Sequence, residues 1–464
     1  MSRPRARPTP ALAQAQAQAK AKAKEQGQGL FAAAVGLWVA LALLKFGTPI
    51  ILDHQISAPT SVAEALIVSW PVAWGYGLTT LLVAAGCIWW RRKELSSIPK
   101  ALLWAPAAWL AWQCVSATQS VDGPLTAASL KQFAACVAAF YLGVLVLSGL
   151  VRLRVFWLAG LGGFLVLMAV GWQQHWGGFE ETRRYFYSLP DWRTYPPEFI
   201  KRLASDRIYA TLFYPNALAG VILLWLPISL AVIWDATRGE AQKLRWAGMA
   251  GMASFAVLAL GCLAWSGSKA GWLILLGEGL AAVLILRTPA WVKWGTVIGL
   301  LVLGLTGFWL RYHGYFSKGA TSVSARFDYW EVAGRTLLSK PILGSGPGTF
   351  ATIYGAQKRP EAEMARLAHN DYLQQGSDSG VLGLVLYASW LIGGLVMIYR
   401  RGSVRTDVIS LGTWLGLAGL AGQGFVEFWL YVPALAWPAF LLLGWQLAQS
   451  AASGNGIDKQ DGHP

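Results

Sequence analysis

The chain has 464 residues, of which 55% are hydrophobic, and its mean hydropathy is +0.44. Only 13% are charged, about half the roughly 25% of soluble domains, and the charges cluster between long apolar runs. This excludes a soluble enzyme and predicts an all-α polytopic membrane protein. The formal charge of +15 is ascribed to loops that collect Lys and Arg, not to nucleic-acid binding.

Residues 1–28 are of low complexity and basic, through Arg3, Arg5, Arg7, Lys20, Lys22 and Lys24. They read as a disordered or transiently helical cytoplasmic tail. No small-x-small site follows a short apolar core, so no signal peptide is expected.

Twelve apolar segments follow, near 30–52, 66–90, 101–117, 133–150, 155–176, 211–234, 246–265, 270–286, 291–310, 380–399, 408–426 and 430–448. They predict about twelve transmembrane helices in one integral membrane domain, residues 29–450, followed by a polar cytoplasmic tail, 451–464. With the N-terminus inside, Arg91, Arg92, Lys93, Arg152, Arg154, Arg238, Arg287, Arg400 and Arg401 fall in cytoplasmic loops. Two long connections, 177–210 and 311–379, then lie on the outer face. The 26 Trp suit interfacial belts. Cys87, Cys114, Cys136 and Cys262 have no metal-ligand spacing, and neither disulfide nor zinc is expected.

Within the second connection, ARFDYWEVAGRTLLSKP predicts a helix with Phe327, Trp330, Leu337 and Leu338 on its apolar side and Pro341 as its stop. GSGPGTF, residues 344–350, reads as a tight turn. HNDYLQQGSDSGVLG then leads into a span. Read as one helix, it puts His369, Tyr372, Gly376, Gly380, Gly383 and Tyr387 on one face, flat enough for a neighbouring helix. Asn370 and Asp371 accompany the histidine.

The outer face thus offers His369, Arg207 and Arg326, with Lys269 at another helix start. A histidine near neutrality can take a proton from a hydroxyl, and a helix start keeps the imidazole neutral. Arginine presents a planar fork of donors to phosphate oxygens. One base with two arginines is what attack by an alcohol on a phosphate-activated sugar needs. The alternatives are a snorkelling histidine and headgroup-anchoring arginines. Glu278, inside a span, faces either a cavity or a partner. The chain has no Asp-x-Asp pair, G-x-S-x-G elbow or H-E-x-x-H helix, so no metal or other cofactor is expected.

The pattern of His, then Asn, Ser or Gln, nine residues, Gly, two residues, then Gly, Thr or Tyr is met by His369, Asn370, Gly380 and Gly383. With PILGSGPGTF and RIYATLFYPNALAG, it resembles the O-antigen ligase and polymerase superfamily of bacterial envelope proteins, best over residues 200–400. The resemblance implies metal-independent, inverting glycan transfer at the periplasmic face of the inner membrane. The donor would be a glycan on undecaprenyl diphosphate. The acceptor would be lipid A–core in a ligase, another lipid-linked repeat in a polymerase, and a protein hydroxyl in related transferases. His369 carries over as base and Arg207 as a diphosphate contact. The second contact is Arg326 or Lys269, the latter standing where relatives often have Arg. A transporter or flippase for lipid-linked saccharides is the competing class, but no internal repeat supports it.

Overall fold

The computed structural model describes residues 10–89, 98–151, 153–194, 200, 203–317, 319 and 321–457. In its first half the helices are α1 Pro10–Lys45, α2 Val62–Ile67, α3 Val72–Gly86, α4 Lys100–Ser116, α5 Gly123–Leu145, α6 Arg154–Gln173 and α7 Phe179–Ser188. There follow α8 Pro215–Thr237, α9 Gln242–Ser266, α10 Lys269–Ile285, α11 Ala290–Ser317, α12 Thr321–Ser339 and α13 Phe350–Gln357. The last are α14 Asp371–Arg400, α15 Ser403–Thr406, α16 Val408–Gln423 and α17 Pro433–Ile457. The described residues contain no strand, as expected where lipid leaves backbone groups no water to bond.

Each of the twelve apolar segments falls on a helix, but among the described residues only seven helices are long and apolar enough to cross a membrane. They are those of α1, α5, α6, α8, α9, α11 and α14. The apolar helices α3 and α16 have 15 and 16 residues. At about 1.5 Å per residue they fall short of a hydrocarbon core roughly 30 Å thick. Helix α1 starts within the low-complexity stretch, at Pro10, as Ala, Gln and Lys are strong helix formers. Arg3, Arg5, Arg7 and the loop residues Arg91, Arg92, Lys93 and Arg152 lie outside the described residues.

The centre of the bundle is α17, whose residues Ala434 to Leu443 are almost all buried. It crosses α5 at two glycines: a Cβ on Gly143 would lie 2.1 Å from the Leu441 carbonyl, and one on Gly444 2.1 Å from that of Phe140. Neither glycine admits a side chain, which is how small residues bring membrane helices into backbone contact. Cβ atoms on Gly412 and Gly416 of α16 would lie 2.6 and 2.3 Å from the carbonyl oxygens of Pro227 and Leu224 in α8. By contrast α11 presents Leu303, Trp309 and Leu310, all more than 60% exposed, as a lipid-facing wall.

The expected continuous helix through His369 and Gly383 is not continuous. His369 precedes α14, whose cap is Asn370, and the helix breaks at Ser379 and Gly380, the latter at φ +72°. Gly376 faces Leu337, Gly380 faces the backbone of Pro341 and Ile342, and Gly383 holds the Ser379 hydroxyl. The three glycines therefore serve three different neighbours, not one flat face. The turn 344–349 satisfies the break. Ser345 N–H donates to Ser377 O at 3.0 Å, Gly346 N–H to Asp378 O at 2.9 Å, and Val381 N–H to Pro341 O at 2.8 Å. Gly348 N–H also donates to Asp378 Oδ2 at 2.8 Å. In a membrane a helix can break only where other groups recover its carbonyls in this way.

The helix expected before Pro341 exists as α12, but its buried residues are Tyr329, Val332, Ala333 and Thr336. Phe327 and Leu338 are exposed. The face is set by the small and aromatic residues that fit against α13 and α14, not by the largest aliphatics.

Gly380→Ala should destabilise the protein by about 2–5 kcal/mol, combining a left-handed backbone with a clash against the Ile342 carbonyl. Gly402 has a similar φ of +83° but open space around it, so Gly402→Ala should cost only about 1 kcal/mol. Thermal unfolding of the two variants in detergent compares them; equal midpoints would show that the break is not tightly packed.

Candidate active site

His369 lies between α13 and α14 with φ +50°, a left-handed conformation uncommon outside glycine. Both flanks hold it there: Ala368 N–H donates to Gln374 Oε1 at 2.9 Å, and Asp371 N–H to Gly424 O at 2.7 Å. The ring lies against Tyr329, centroids 5.8 Å apart, and meets the Phe428 edge at 4.7 Å. Burial pushes the Tyr329 hydroxyl up to about 12, so this wall stays uncharged. The imidazole itself is about a quarter exposed.

Its Nδ1 is 3.1 Å from Glu427 Oε2. An ionised carboxylate only accepts, so Nδ1 carries a proton, which leaves Nε2 as the nitrogen directed away from Glu427. Glu427 is 2% exposed, and its other oxygen is equally engaged. Oε1 accepts from Arg326 Nη2 in an ion pair and from Asn216 Nδ2 at 2.6 Å. Burial alone would raise the carboxyl, yet His369 and Arg326 together hold it below its ordinary 4.5.

Arg326 is further fixed by Val426 O and Ser322 O, both at 3.0 Å. Arg207 extends the network: its Nε donates to Ser266 O at 2.7 Å and its Nη2 to Asn216 Oδ1 at 3.1 Å. Lys269 opens α10, its ammonium 3.7 Å from the ring centre of Tyr315 and 5.4 Å from that of Tyr312. Arg207, Arg326 and Lys269 are near enough to repel one another electrostatically. One cluster therefore gathers His369, Arg207, Arg326 and Lys269, the four residues singled out from the sequence.

An apolar groove of about 450 Å³ lies between α9, α10 and α11. Trp272, Leu276, Leu300, Gly304 and Phe308 line it, and Arg311 and Tyr312 stand at one end. Tyr312 also lies beneath Lys269, so the groove and the cation cluster have this residue in common.

Glu427 and Asn216 were missed as site residues. Glu427 could have been noticed as a lone acid in the apolar turn between the last two segments, on the same side as His369. Asn216 lay in plain view within FYPNALAG but carries no charge. Of the other expected residues, Asn370 caps α14 through Leu373 N–H at 2.9 Å. Asp371 is fully buried and takes the Leu430 N–H at 3.3 Å. Glu278 is buried against Gly419 of α16, with no hydrogen-bond partner on either oxygen, and is apart from the cluster.

An all-helical, multi-pass membrane protein with a carboxylate-held histidine among three cations is the class these observations define. A family model described as O-antigen ligase matches residues 254–388, a stretch that contains Lys269, Arg326 and His369. The match supports a resemblance of this stretch to the O-antigen ligase and polymerase superfamily. No curated protein matches it.

Glu427→Gln keeps the shape of the side chain but leaves Arg326 and His369 without their anion, and should cost about 3 kcal/mol. A carboxyl held low in the folded state stabilises fully above its ordinary value of 4.5 and loses that contribution as pH falls through the lowered folded value. The gap between wild-type and variant unfolding midpoints should therefore be constant at neutral pH and close only at the acid end. A gap that already closes between about pH 5 and 7 would contradict the pairing.

Proposed function

We propose that the chain transfers a glycan from undecaprenyl diphosphate to an acceptor hydroxyl at the periplasmic face, with lipid A–core as the acceptor. The observation that carries this reading is His369 fixed by Glu427, with Arg207, Arg326 and Lys269 around it. His369 Nε2 takes the proton of the acceptor hydroxyl. The oxygen attacks the anomeric carbon of the donor's first sugar from the side opposite the diphosphate. The new C–O bond forms as the bond to the diphosphate oxygen breaks, inverting the centre. The lipid diphosphate leaves with the electron pair, its charge met by Arg207 and one or both of Arg326 and Lys269. Glu427 holds the imidazole and balances the imidazolium that forms, the role a buried carboxylate plays behind other catalytic histidines. The groove between α9 and α11 takes the first isoprene units of the carrier, with the diphosphate near Tyr312 and Lys269.

His369→Gln retains a hydrogen-bonding group but takes no proton, and should lower transfer by about 10²–10⁴-fold while donor binding persists. Purified protein with a lipid-linked donor and lipid A–core provides the assay; a near wild-type rate would remove His369 as the base. Gly307 borders the groove with nothing within 4 Å of its Cβ position. Gly307→Phe should therefore raise KM for a long-chain donor by about tenfold or more, on the order of two lost methylene contacts, and spare a short-chain analogue. Equal effects on both donors would move the carrier out of this groove.

A further inference from the structure

Asn216 stands between the diphosphate contact and the base. Its Oδ1 accepts from Arg207 Nη2 at 3.1 Å, and its Nδ2 donates to Glu427 Oε1 at 2.6 Å. The orientation of the amide is forced. A guanidinium has only donors and an ionised carboxylate only acceptors, so the oxygen must face Arg207 and the nitrogen Glu427. The backbone is fixed as well: Asn216 follows Pro215 in the first turn of α8, and its carbonyl takes Gln423 Nε2 at 2.9 Å.

We propose that Asn216 is a positioning residue that couples Arg207 to the Glu427–His369 pair while keeping the arginine and the carboxylate from neutralising each other. The inference rests on the function proposed above. An arginine and a carboxylate this close would otherwise close into an ion pair of the kind Glu427 already makes with Arg326. An amide satisfies both groups and has no net charge, so Arg207 keeps its charge for the donor and Glu427 keeps an oxygen for His369. The same amide sets the rotation of the carboxylate, and through Oε2 the direction of the imidazole.

The inference has a signature in pH. Asn216→Asp replaces the amide nitrogen by an oxygen, bringing two carboxyl groups to hydrogen-bond distance. Such a pair holds one proton between them. With that proton present, the new side chain donates to Glu427 and accepts from Arg207, as the amide does. Without it, the donor to Glu427 is lost, and Arg207 is drawn to a carboxylate. The other charged or titratable groups facing this point are His369, Arg326 from α12, Lys269 from α10, Tyr312 and Tyr315 from α11, and the buried Tyr214 and Asp371. These are common to variant and wild type, so the ratio of their rates isolates the shared proton.

The experiment measures kcat and donor KM of full-length wild type, Asn216→Asp, Asn216→Ala and Asn216→Ser across about pH 5.5 to 8.5, with lipid-linked donor and lipid A–core. Unfolding midpoints and binding of undecaprenyl diphosphate are followed in parallel. The Asn216→Asp to wild-type ratio should fall with rising pH, about tenfold per unit once the shared proton titrates. Asn216→Ala should lose about 10- to 100-fold in kcat/KM, the worth of a hydrogen bond to a charged group, through both kcat and KM. Asn216→Ser, whose hydroxyl both donates and accepts, should recover part of it. A ratio constant with pH overturns the inference, since a merely structural asparagine would give a pH-independent loss. If Asn216→Asp does not fold, the other pair decides: Ser no better than Ala overturns it. Wild-type protein that neither binds undecaprenyl diphosphate nor transfers would instead sink the proposed function. Wild-type transfer with a flat ratio sinks only the coupling.

Discussion

A single carboxylate organises the site. Glu427 is almost wholly buried, and a buried charge is tolerated only with its partners in place. Its partners come from three separate stretches: Asn216 from the start of α8, Arg326 from α12, and His369 from the segment before α14. Each contact is modest once desolvation is counted. Removing any one leaves charge or hydrogen-bonding capacity stranded, so the three stretches are held in one mutual arrangement.

The second constraint lies in α14. Its break at Ser379–Gly380 would strand carbonyls inside the bundle, and the glycine-rich turn 344–349 recovers them. Trp112 adds its indole N–H to Ser379 O at 2.8 Å, and Ser116 its hydroxyl to Asp378 O at 3.0 Å. The first half of α14 is thereby tied to α4 and to the turn that follows α12. Since α12 carries Arg326 and α14 begins two residues after His369, the repair of the helix break also fixes the spacing of Arg326 and His369. Glycine is needed at these points for its backbone: Gly344, Gly346, Gly348 and Gly380 all have positive φ.

The helices were legible because hydrophobic runs long enough to span lipid are a strong and local signal. Which runs are full spans was less so, since α3 and α16 are apolar but short. The His369, Arg207, Arg326 and Lys269 group was legible from charge type and from the spacing of His369, Asn370, Gly380 and Gly383. Glu427 was not, because a carboxylate at the end of an apolar segment looks like a boundary residue until its partners, more than 50 residues away in sequence, are placed beside it. The helix break was hidden for a related reason. Glycines at 376, 380 and 383 fit helical periodicity, and only the turn's carbonyl-seeking N–H groups reveal that the helix opens there.

The cations differ in how their charge is met, and this bears on what the site attracts. Arg326 is paired with a carboxylate. Arg207 instead donates to a carbonyl and an amide oxygen, and Lys269 lies over tyrosine rings. Carbonyls, amides and rings orient and partly solvate a cation without cancelling its charge. Glu427 is committed to Arg326 and His369, so two positive charges remain over, and Lys269 lies over Tyr312, a residue of the apolar groove. Such a surplus is costly to assemble in a partly desolvated place, and an anion of two charges attached to an apolar chain relieves it. The groove offers an apolar surface and the cations an unbalanced positive charge, and Tyr312 belongs to both. His369 takes Glu427's second oxygen, the one that neither Arg326 nor Asn216 uses.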